Sequence, residues 1–401
     1  MTAYDDVVVG AGIIGLSCGR EILKRCPGGS LAIIEKEPAV GTHQTGHNSG
    51  VIHSGIYYAP GSRKARLCVE GSKMMYEFCD AHGIPTDRCG KLIVATRPNE
   101  LPALDELYRR GTANGVRGLR MLGPSEITDF EPNCIGIRAI WSPDTGIVDF
   151  SQVAASLAEE VLGLGGVILT SRTVIGLETR SDGVLVRTNQ DDLTAKRVLA
   201  CAGLHSDLVA RMSGAPREPR IVPFRGDYWQ LRPDRRDLVR NLIYPVPDPS
   251  FPFLGVHFTR RITDGAIWLG PNAVLAFARE GYRRSDIQIL DLAQSLSYRG
   301  FARLARKYWR TGIAELYRDY SKRAFVASCQ RFVPSLDPCD VVPGPSGVRA
   351  QSLASTGALV DDFHFDVQGA HLMHVRNAPS PAATSSLAIG RDIAQEWAKA
   401  D

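Results

Sequence analysis

The stretch "HQTGHNSGVIHSGIYY", residues 43–58, sets His43, His47 and His53 within eleven positions, beside an asparagine, two serines, three glycines and a tyrosine pair. Imidazole is the side chain whose ordinary pKa lies closest to neutrality. Such a segment therefore suits proton transfer, cofactor contact or metal ligation. Metal ligation fits poorly. The three histidines do not share one face of a regular element, and no Asp or Glu sits among them. The nine cysteines, scattered from Cys18 to Cys339, include no CxxC and no paired Cys/His spacing. No metal is expected. His371 and His374 fall in a strand-like run, which puts them on opposite faces in structural roles.

A second chemical signature precedes this stretch. "YDDVVVGAG" reads as a short apolar strand, and Gly10, Gly12 and Gly15 follow at GxGxxG spacing. "IIGLSCGREILKRC" has helical periodicity and is stopped at Pro27-Gly28-Gly29. "LAIIEKE" is a second strand that ends at Glu35, 20 positions after Gly15. Gly10 allows the tight turn, Gly12 lets a pyrophosphate approach the backbone, and Gly15 lets the helix pack on the sheet. The free N–H groups of the first helical turn, around Ile14, face the phosphates, and Glu35 accepts from a ribose, with Lys36 beside it. This βαβ unit predicts a dinucleotide site. The histidine-rich stretch begins just beyond Glu35, at the carboxyl edge of the sheet where the ligand lies. Thr45, His47, Asn48, Ser49 and Gly50 are thus expected along the cofactor, with His53 further on. Two more small-residue turns open helices, "LACAGLHSD" with Ala202 and Gly203, and "NAPSPAATSSLAIG" with Pro379, Ser380, Ala382, Ala383 and Thr384. These turns, and Val174 in "TVIGLETR", complete the expected cofactor contacts.

The elements that hold these residues fall into two patterns. The chain has 401 residues, of which 44% are hydrophobic and 22% charged, with a net charge of +4. That describes an ordinary globular protein too long for one core, and it excludes disorder and strongly charged partners such as nucleic acid. Residues 1–85, 145–220 and 340–401 read as a discontinuous α/β nucleotide-binding domain. Residues 86–144 and 221–339 read as a second domain on a mostly antiparallel sheet plus helices. The start "MTAYDDVVVG" enters a strand without a basic or long apolar leader. No apolar run approaches the roughly 18 residues that span a bilayer. With unpaired cysteines, this suits the cytoplasm, or the inner face of the cell membrane as a peripheral protein.

Together the three glycine-rich pieces resemble the D-amino-acid-oxidase-type FAD-dependent oxidoreductases, which are Rossmann-like with a discontinuous FAD domain. Within that superfamily, "HQTGHNSGVIHSGIYY", "PFRGDYW", "PFLGVHFTR", "GPNAVLAF", "GVRAQ" and "NAPSPAATSS" closely resemble the L-2-hydroxyglutarate dehydrogenase/oxidase family. The resemblance runs through nearly the whole chain. It implies non-covalent FAD and oxidation of L-2-hydroxyglutarate to 2-oxoglutarate, with electrons passed on to the membrane quinone pool. Gly46 departs from the family, many members of which have Ser there. Related flavoenzymes act on amino acids or glycerol 3-phosphate, or use oxygen, and these are the neighbouring alternatives. A nucleotide-binding module without catalysis is a third.

Oxidation of a 2-hydroxy acid moves a hydride from C2 to the flavin N5 and a proton from the hydroxyl to a base. His53, beside small Ser54 and Gly55, and His257, on the strand "FLGVHFT", are the candidate bases. A dicarboxylate also needs cations, and arginine meets carboxylates with two hydrogen bonds. Arg349 resembles a substrate-contacting arginine of related flavoenzymes. Arg225, and Tyr58 as a donor, are further candidates. Residues 283–333 are mostly helical, basic and interleaved with aromatics, which suits a solvated face or an anionic membrane surface.

Overall fold

The computed structural model describes residues 2–248, 255–270 and 272–398. Pro252, Phe253, Leu254 and Pro271 of the motifs quoted above lie outside them. The apolar runs that open the chain form adjacent parallel strands. Thr2–Val9 pairs with Leu31–Ile34 on one side, Val9 opposite Ile34, and with Leu193–Ala200 on the other, Val9 opposite Ala200. Such unbroken apolar runs belong to strands covered on both faces. Val167–Leu169 extends the sheet beyond Leu31–Ile34. Leu193–Ala200 splits its partners. Its first half pairs with the hairpin of Val174–Arg180 and Gly183–Thr188, its second with Leu372–Asn377. His364–Gln368 then flanks Leu372–Asn377.

The helix Ile13–Arg25 crosses between the first two strands and packs among Phe150–Gly163 and Ala382–Trp397. Leu16, Leu157 and Ile389 are fully buried in the resulting core. This layer brings the three glycine-rich turns to one edge of one sheet, although they lie up to 370 residues apart in sequence (Gly10 to Ser380).

A second sheet is nucleated by the longest antiparallel pair. Arg220–Leu231 runs against Val341–Leu353, from Arg220 opposite Leu353 to Leu231 opposite Val341. Residues 341–353 therefore extend the second sheet, whereas the sequence reading had put them with the nucleotide-binding segments. Ile267–Gly270, His257–Arg260, Leu242–Pro245, Lys91–Ala95, Arg138–Ser142 and Arg120–Leu122 continue this sheet, and Val274–Leu275 caps its edge. Alternation along Lys91–Ala95 decides its two faces. Leu92 and Val94 pack towards Phe325, while Ile93 and Ala95 pack with Leu104 and Tyr244. The basic segment forms three helices, Ile289–Leu296, Arg299–Tyr320 (bent at Tyr308) and Lys322–Cys329. Among the described residues no helix is long and apolar enough to cross a membrane.

Candidate active site

The first turn after the opening strand is a steric consequence of its glycines. Gly10 has φ +102°, and a Cβ there would lie 2.6 Å from the Cys201 carbonyl oxygen. A Cβ on Gly15 would lie 1.9 Å from the Gly10 carbonyl oxygen. Gly12 differs: an added Cβ would touch only Thr45 Oγ1, at 3.5 Å. No protein atom requires glycine at that position, so the space above it is kept for something else. The helix that follows gets no cap from its own N-cap residue, Gly12, and has no acid in its first turn. Its N-terminal partial charge therefore faces an open cavity. Glu35 is held by the Ala11 amide, which donates to Oε2 at 2.8 Å, and by the Glu37 amide, which donates to Oε1 at 2.9 Å.

The histidine-rich stretch crosses this edge as linked turns. Thr45 Oγ1 accepts from the Ile13 amide at 3.0 Å, and Asn48 Oδ1 accepts from the Gly50 amide at 2.8 Å. Past Val51-Ile52, the His53 amide donates to Thr384 Oγ1 at 3.1 Å, which ties the stretch to the third small-residue turn. The described residues enclose a cavity of about 710 Å³ that runs from Gly10, Gly12, Ile14, Gly15, Glu35, Lys36 and Val174 to the second sheet. Thr45, His47, Asn48, Ser49, Ala202, Gly203, Pro379, Ser380, Ala382, Ala383 and Thr384 line it. So do His53, Tyr228, Tyr244, His257 and Arg349 from the far side. The lining of this space fits FAD: a hollow above Gly12, a helix N-terminus without an acid in its first turn, and a carboxylate at the end of the βαβ unit.

Three expected contacts are not on the cavity wall. Gly50 turns the chain with φ +72° against Arg261 and the Val148 carbonyl. Tyr58 packs its ring 5.2 Å from Lys64 Nζ. Arg225, read as a substrate anchor, is buried and committed elsewhere. Its Nε donates to Asp227 at 2.9 Å, its Nη1 donates to the Arg283 carbonyl at 3.3 Å, and Asp319 lies 3.9 Å away. Asp227 and Asp319 also pair with Arg284, so Arg225 belongs to a network of two cations and two carboxylates away from the cavity wall.

The two histidines differ in how they are held. His257 Nδ1 lies 3.0 Å from the Gly255 carbonyl, which can only accept; Nδ1 therefore carries the proton and Nε2 the lone pair. Its ring meets Tyr244 edge-on, 4.3 Å between centroids. His53 Nδ1 is buried without a hydrogen-bond partner among the described residues. Burial first, and then the nearby charge of Lys91, push His53 down to about 3. Burial lowers His257 to about 3 as well, opposed by the Gly255 carbonyl and aided by Arg349 and Lys91. Both rings are thus neutral at physiological pH. Arg349 Nη1 donates to the Asn272 carbonyl at 3.2 Å, with no carboxylate in hydrogen-bond contact among the described residues.

Sequence reasoning missed Tyr244, Tyr228, Lys64 and Lys91. Lys64 lines the cavity, and its Nζ donates to the Asp361 carbonyl at 2.8 Å. Acids from outside the stretch do approach one of its histidines. Glu37 and Glu280 converge on His43, with ligand atoms within 4.8 Å of one another. Lys36 already occupies the centre of that group: its Nζ bonds Glu37, lies 2.6 Å from Glu280 and is 2.8 Å from His43 Nε2.

The model of the FAD dependent oxidoreductase family (DAO) matches residues 5–396, and the chain belongs to that family of flavoenzymes. Three relatives described as L-2-hydroxyglutarate dehydrogenases align along almost all of it. That of Nematostella vectensis is 50% identical, covering 99% of this chain and 91% of its own. That of Indibacter alkaliphilus is 47% identical over 98% of both chains, and that of Homo sapiens is 48% identical over 98% of this chain and 89% of its own. Among solved structures, a dithionite-reduced L-alpha-glycerophosphate oxidase from Mycoplasma pneumoniae with FAD bound superposes with a TM-score of 0.80. It shares 22% identity and covers 99% of this chain and 95% of its own. A glycine oxidase from Geobacillus kaustophilus superposes with a TM-score of 0.69 at 19% identity, covering 100% of this chain and 95% of its own. These structures share the fold.

Proposed function

We infer that this flavoenzyme oxidises L-2-hydroxyglutarate to 2-oxoglutarate and, in doing so, reduces FAD. The near-full-length identity to dehydrogenases of that substrate carries the reading, and a cavity that ends in two neutral histidines and Arg349 supports it. Bound FAD supplies the acceptor for the hydride that leaves C2. Gly12 and the N-terminal turn of the helix that follows would hold its pyrophosphate, Glu35 its ribose, and Thr45 and the Pro379–Thr384 turn the remainder.

Arg349 receives a substrate carboxylate. Its guanidinium meets only a carbonyl in hydrogen-bond contact, and loss of bulk water around it strengthens an ion pair with an arriving anion. His53 or His257 takes the hydroxyl proton. A neutral ring with an available lone pair can accept one, and conversion to imidazolium is eased once a dianion lies alongside. Residues 1–85, 145–220 and 340–401 form the cofactor domain in this reading, with the Val341–Leu353 strand reaching across to the other. Electrons then pass to a membrane quinone from a protein resting on the inner face of the cell membrane.

The test is anaerobic reduction of the purified holoenzyme by each enantiomer of 2-hydroxyglutarate, followed by reoxidation with oxygen or a soluble quinone. Bleaching by the L enantiomer and faster reoxidation by quinone are expected. Bleaching by another small acid but not by L-2-hydroxyglutarate would overturn the substrate.

A further inference from the structure

A dicarboxylate carries two negative ends. Three arginines line the cavity: Arg376 is paired with Asp366, Arg172 lies beside Glu35 at the opposite end from the histidines, and Arg349, at the histidine end, meets no carboxylate in hydrogen-bond contact among the described residues. Arg225 lies off that wall and shares Asp227 and Asp319 with Arg284. Lys64 is engaged by the backbone and side chain of Asp361. A further cation lies just behind the wall. Lys91 heads the strand Lys91–Ala95, whose five residues are all buried, and is itself only 1% exposed. No carboxylate pairs with it among the described residues. Its Nζ instead faces two aromatic rings, Tyr57 at 4.7 Å and Tyr244 at 5.0 Å.

A buried ammonium without an anion is costly, and proteins seldom keep one without use for it. A methionine or leucine at this position would fill the same volume without that cost. The placement is informative. Tyr244 lines the cavity, its ring is 4.3 Å from the His257 ring, and Lys91, itself off the cavity wall, packs its Nζ 5.0 Å from the same ring. Alternation along the strand puts Lys91 on the same face as Ile93, which packs with Tyr244 and Ile56. His257 feels both Arg349 and Lys91, whereas His53 feels Lys91 and Lys64. Arg349 lines the cavity with both histidines, and Lys91 packs against Tyr57 and Tyr244, the second of which meets His257. Through a poorly screened interior a charge acts over several ångströms without contact. Burial also holds the ammonium down to about 7, so an arriving anion would strengthen its charge.

We propose that Lys91 is the counter-charge for the second carboxylate of the substrate and a positioning residue that selects dicarboxylates over monocarboxylic 2-hydroxy acids. This role rests on the 2-hydroxyglutarate reading above and deepens it. It acts through the Tyr57–Tyr244 pair, which separates the cation from the cavity while leaving its field in place.

The experiment compares wild type, Lys91→Met and Lys91→Arg as FAD-loaded enzymes. Titration calorimetry measures binding of glutarate, an inert dicarboxylate, and of butyrate, its one-ended counterpart. Lys91→Met should weaken glutarate at least about thirtyfold and leave butyrate within about threefold, as expected for loss of one partly screened ion pair. Lys91→Arg should keep most of the preference for glutarate. In stopped-flow reduction by L-2-hydroxyglutarate, Lys91→Met should raise the half-saturating concentration by a similar factor, with the limiting rate nearly kept. A glutarate affinity unchanged in Lys91→Met, or an equal loss for both ligands, would overturn the role. Wild type that is reduced by L-2-hydroxyglutarate keeps the parent reading intact whichever way Lys91 turns out. Wild type that is not reduced by it removes both.

Discussion

A histidine that must accept a proton is useful only while neutral, and enclosure keeps His53 and His257 in that form. Both are held near 3, below the ordinary value of 6.5. Neither should give kcat/KM an inflexion near pH 6.5 in the free enzyme, which a profile of anaerobic reduction from pH 5 to 8 would reveal. The same shift has a stability consequence. Between about 6.5 and 3 the unfolded chain binds protons that the folded rings refuse, so stability falls as the pH drops through that window. Each such proton contributes a slope of about 1.4 kcal/mol per pH unit. His53→Gln should flatten the acid side of a plot of thermal midpoint against pH. Lys91 works on the alkaline side. Its folded value of about 7 lies below the unfolded 10.5, so wild type should gain stability from pH 7 to about 10.5. Lys91→Met should lack that rise and be the more stable protein at pH 7. His53→Ala should retain FAD but slow flavin reduction at least about a hundredfold, as for loss of a general base. Near-normal reduction would move the role to His257, whose proton is already fixed on Nδ1 by Gly255. The histidines were legible because their type announces proton chemistry. Lys91 was not, because a lysine at the head of "KLIVA" looks like an exposed strand end until the tertiary fold buries it.

At the scale of elements, the strand–turn–helix at the start of the chain separates glycines the backbone needs from one the ligand needs. Gly15→Ala would press a methyl group onto the Gly10 carbonyl. The apoprotein itself should lose about 1–3 kcal/mol or more, seen as a lower denaturant midpoint. Gly12→Ala meets only Thr45 Oγ1 at 3.5 Å. It should leave the apoprotein's midpoint nearly unchanged while weakening FAD at least about tenfold, about 1.4 kcal/mol of binding. Equal effects of the two changes on the apoprotein would show that the hollow above Gly12 is not reserved for ligand. This unit was legible because its signals are local: an apolar run, three glycines at fixed spacing and an acid closing the second strand. Arg225's place behind the wall was not legible, because the network it shares with Asp227 also takes in Arg284 and Asp319, 94 positions later on a helix whose docking no local pattern reveals. That the strand Val341–Leu353 reaches into the second sheet was hidden for the same reason, since its partner, Arg220–Leu231, lies more than a hundred residues earlier.

For the whole molecule, the two sheets meet around one cavity, and the helices beyond the second sheet carry a face that nothing in the fold covers. Trp309, Ile313, Leu316, Tyr317 and Tyr320 follow helical spacing along Arg299–Tyr320 and are 56%, 57%, 48%, 65% and 72% exposed. Ile289 and Leu290, on the preceding helix, are 76% and 70% exposed. An apolar stripe of this size, with Arg306, Lys307 and Arg310 on the same helix, is the pattern of a helix lying in a bilayer interface. On the peripheral-membrane reading proposed above, this stripe would be the surface that meets the lipid. Each basic residue near an anionic leaflet contributes about 1 kcal/mol, falling off with salt. The holoenzyme should therefore float with phosphatidylglycerol vesicles at low salt and less at about 0.5 M, where the Debye length shrinks to a few ångströms. Ile313→Glu with Tyr317→Glu should abolish flotation while leaving flavin reduction by L-2-hydroxyglutarate within about twofold, because neither side chain lines the cavity. Reoxidation by a soluble quinone should be unaffected, and reoxidation by quinone held in vesicles should slow. Wild type that stays in the soluble fraction at every salt concentration would reduce the stripe to a surface for some other contact.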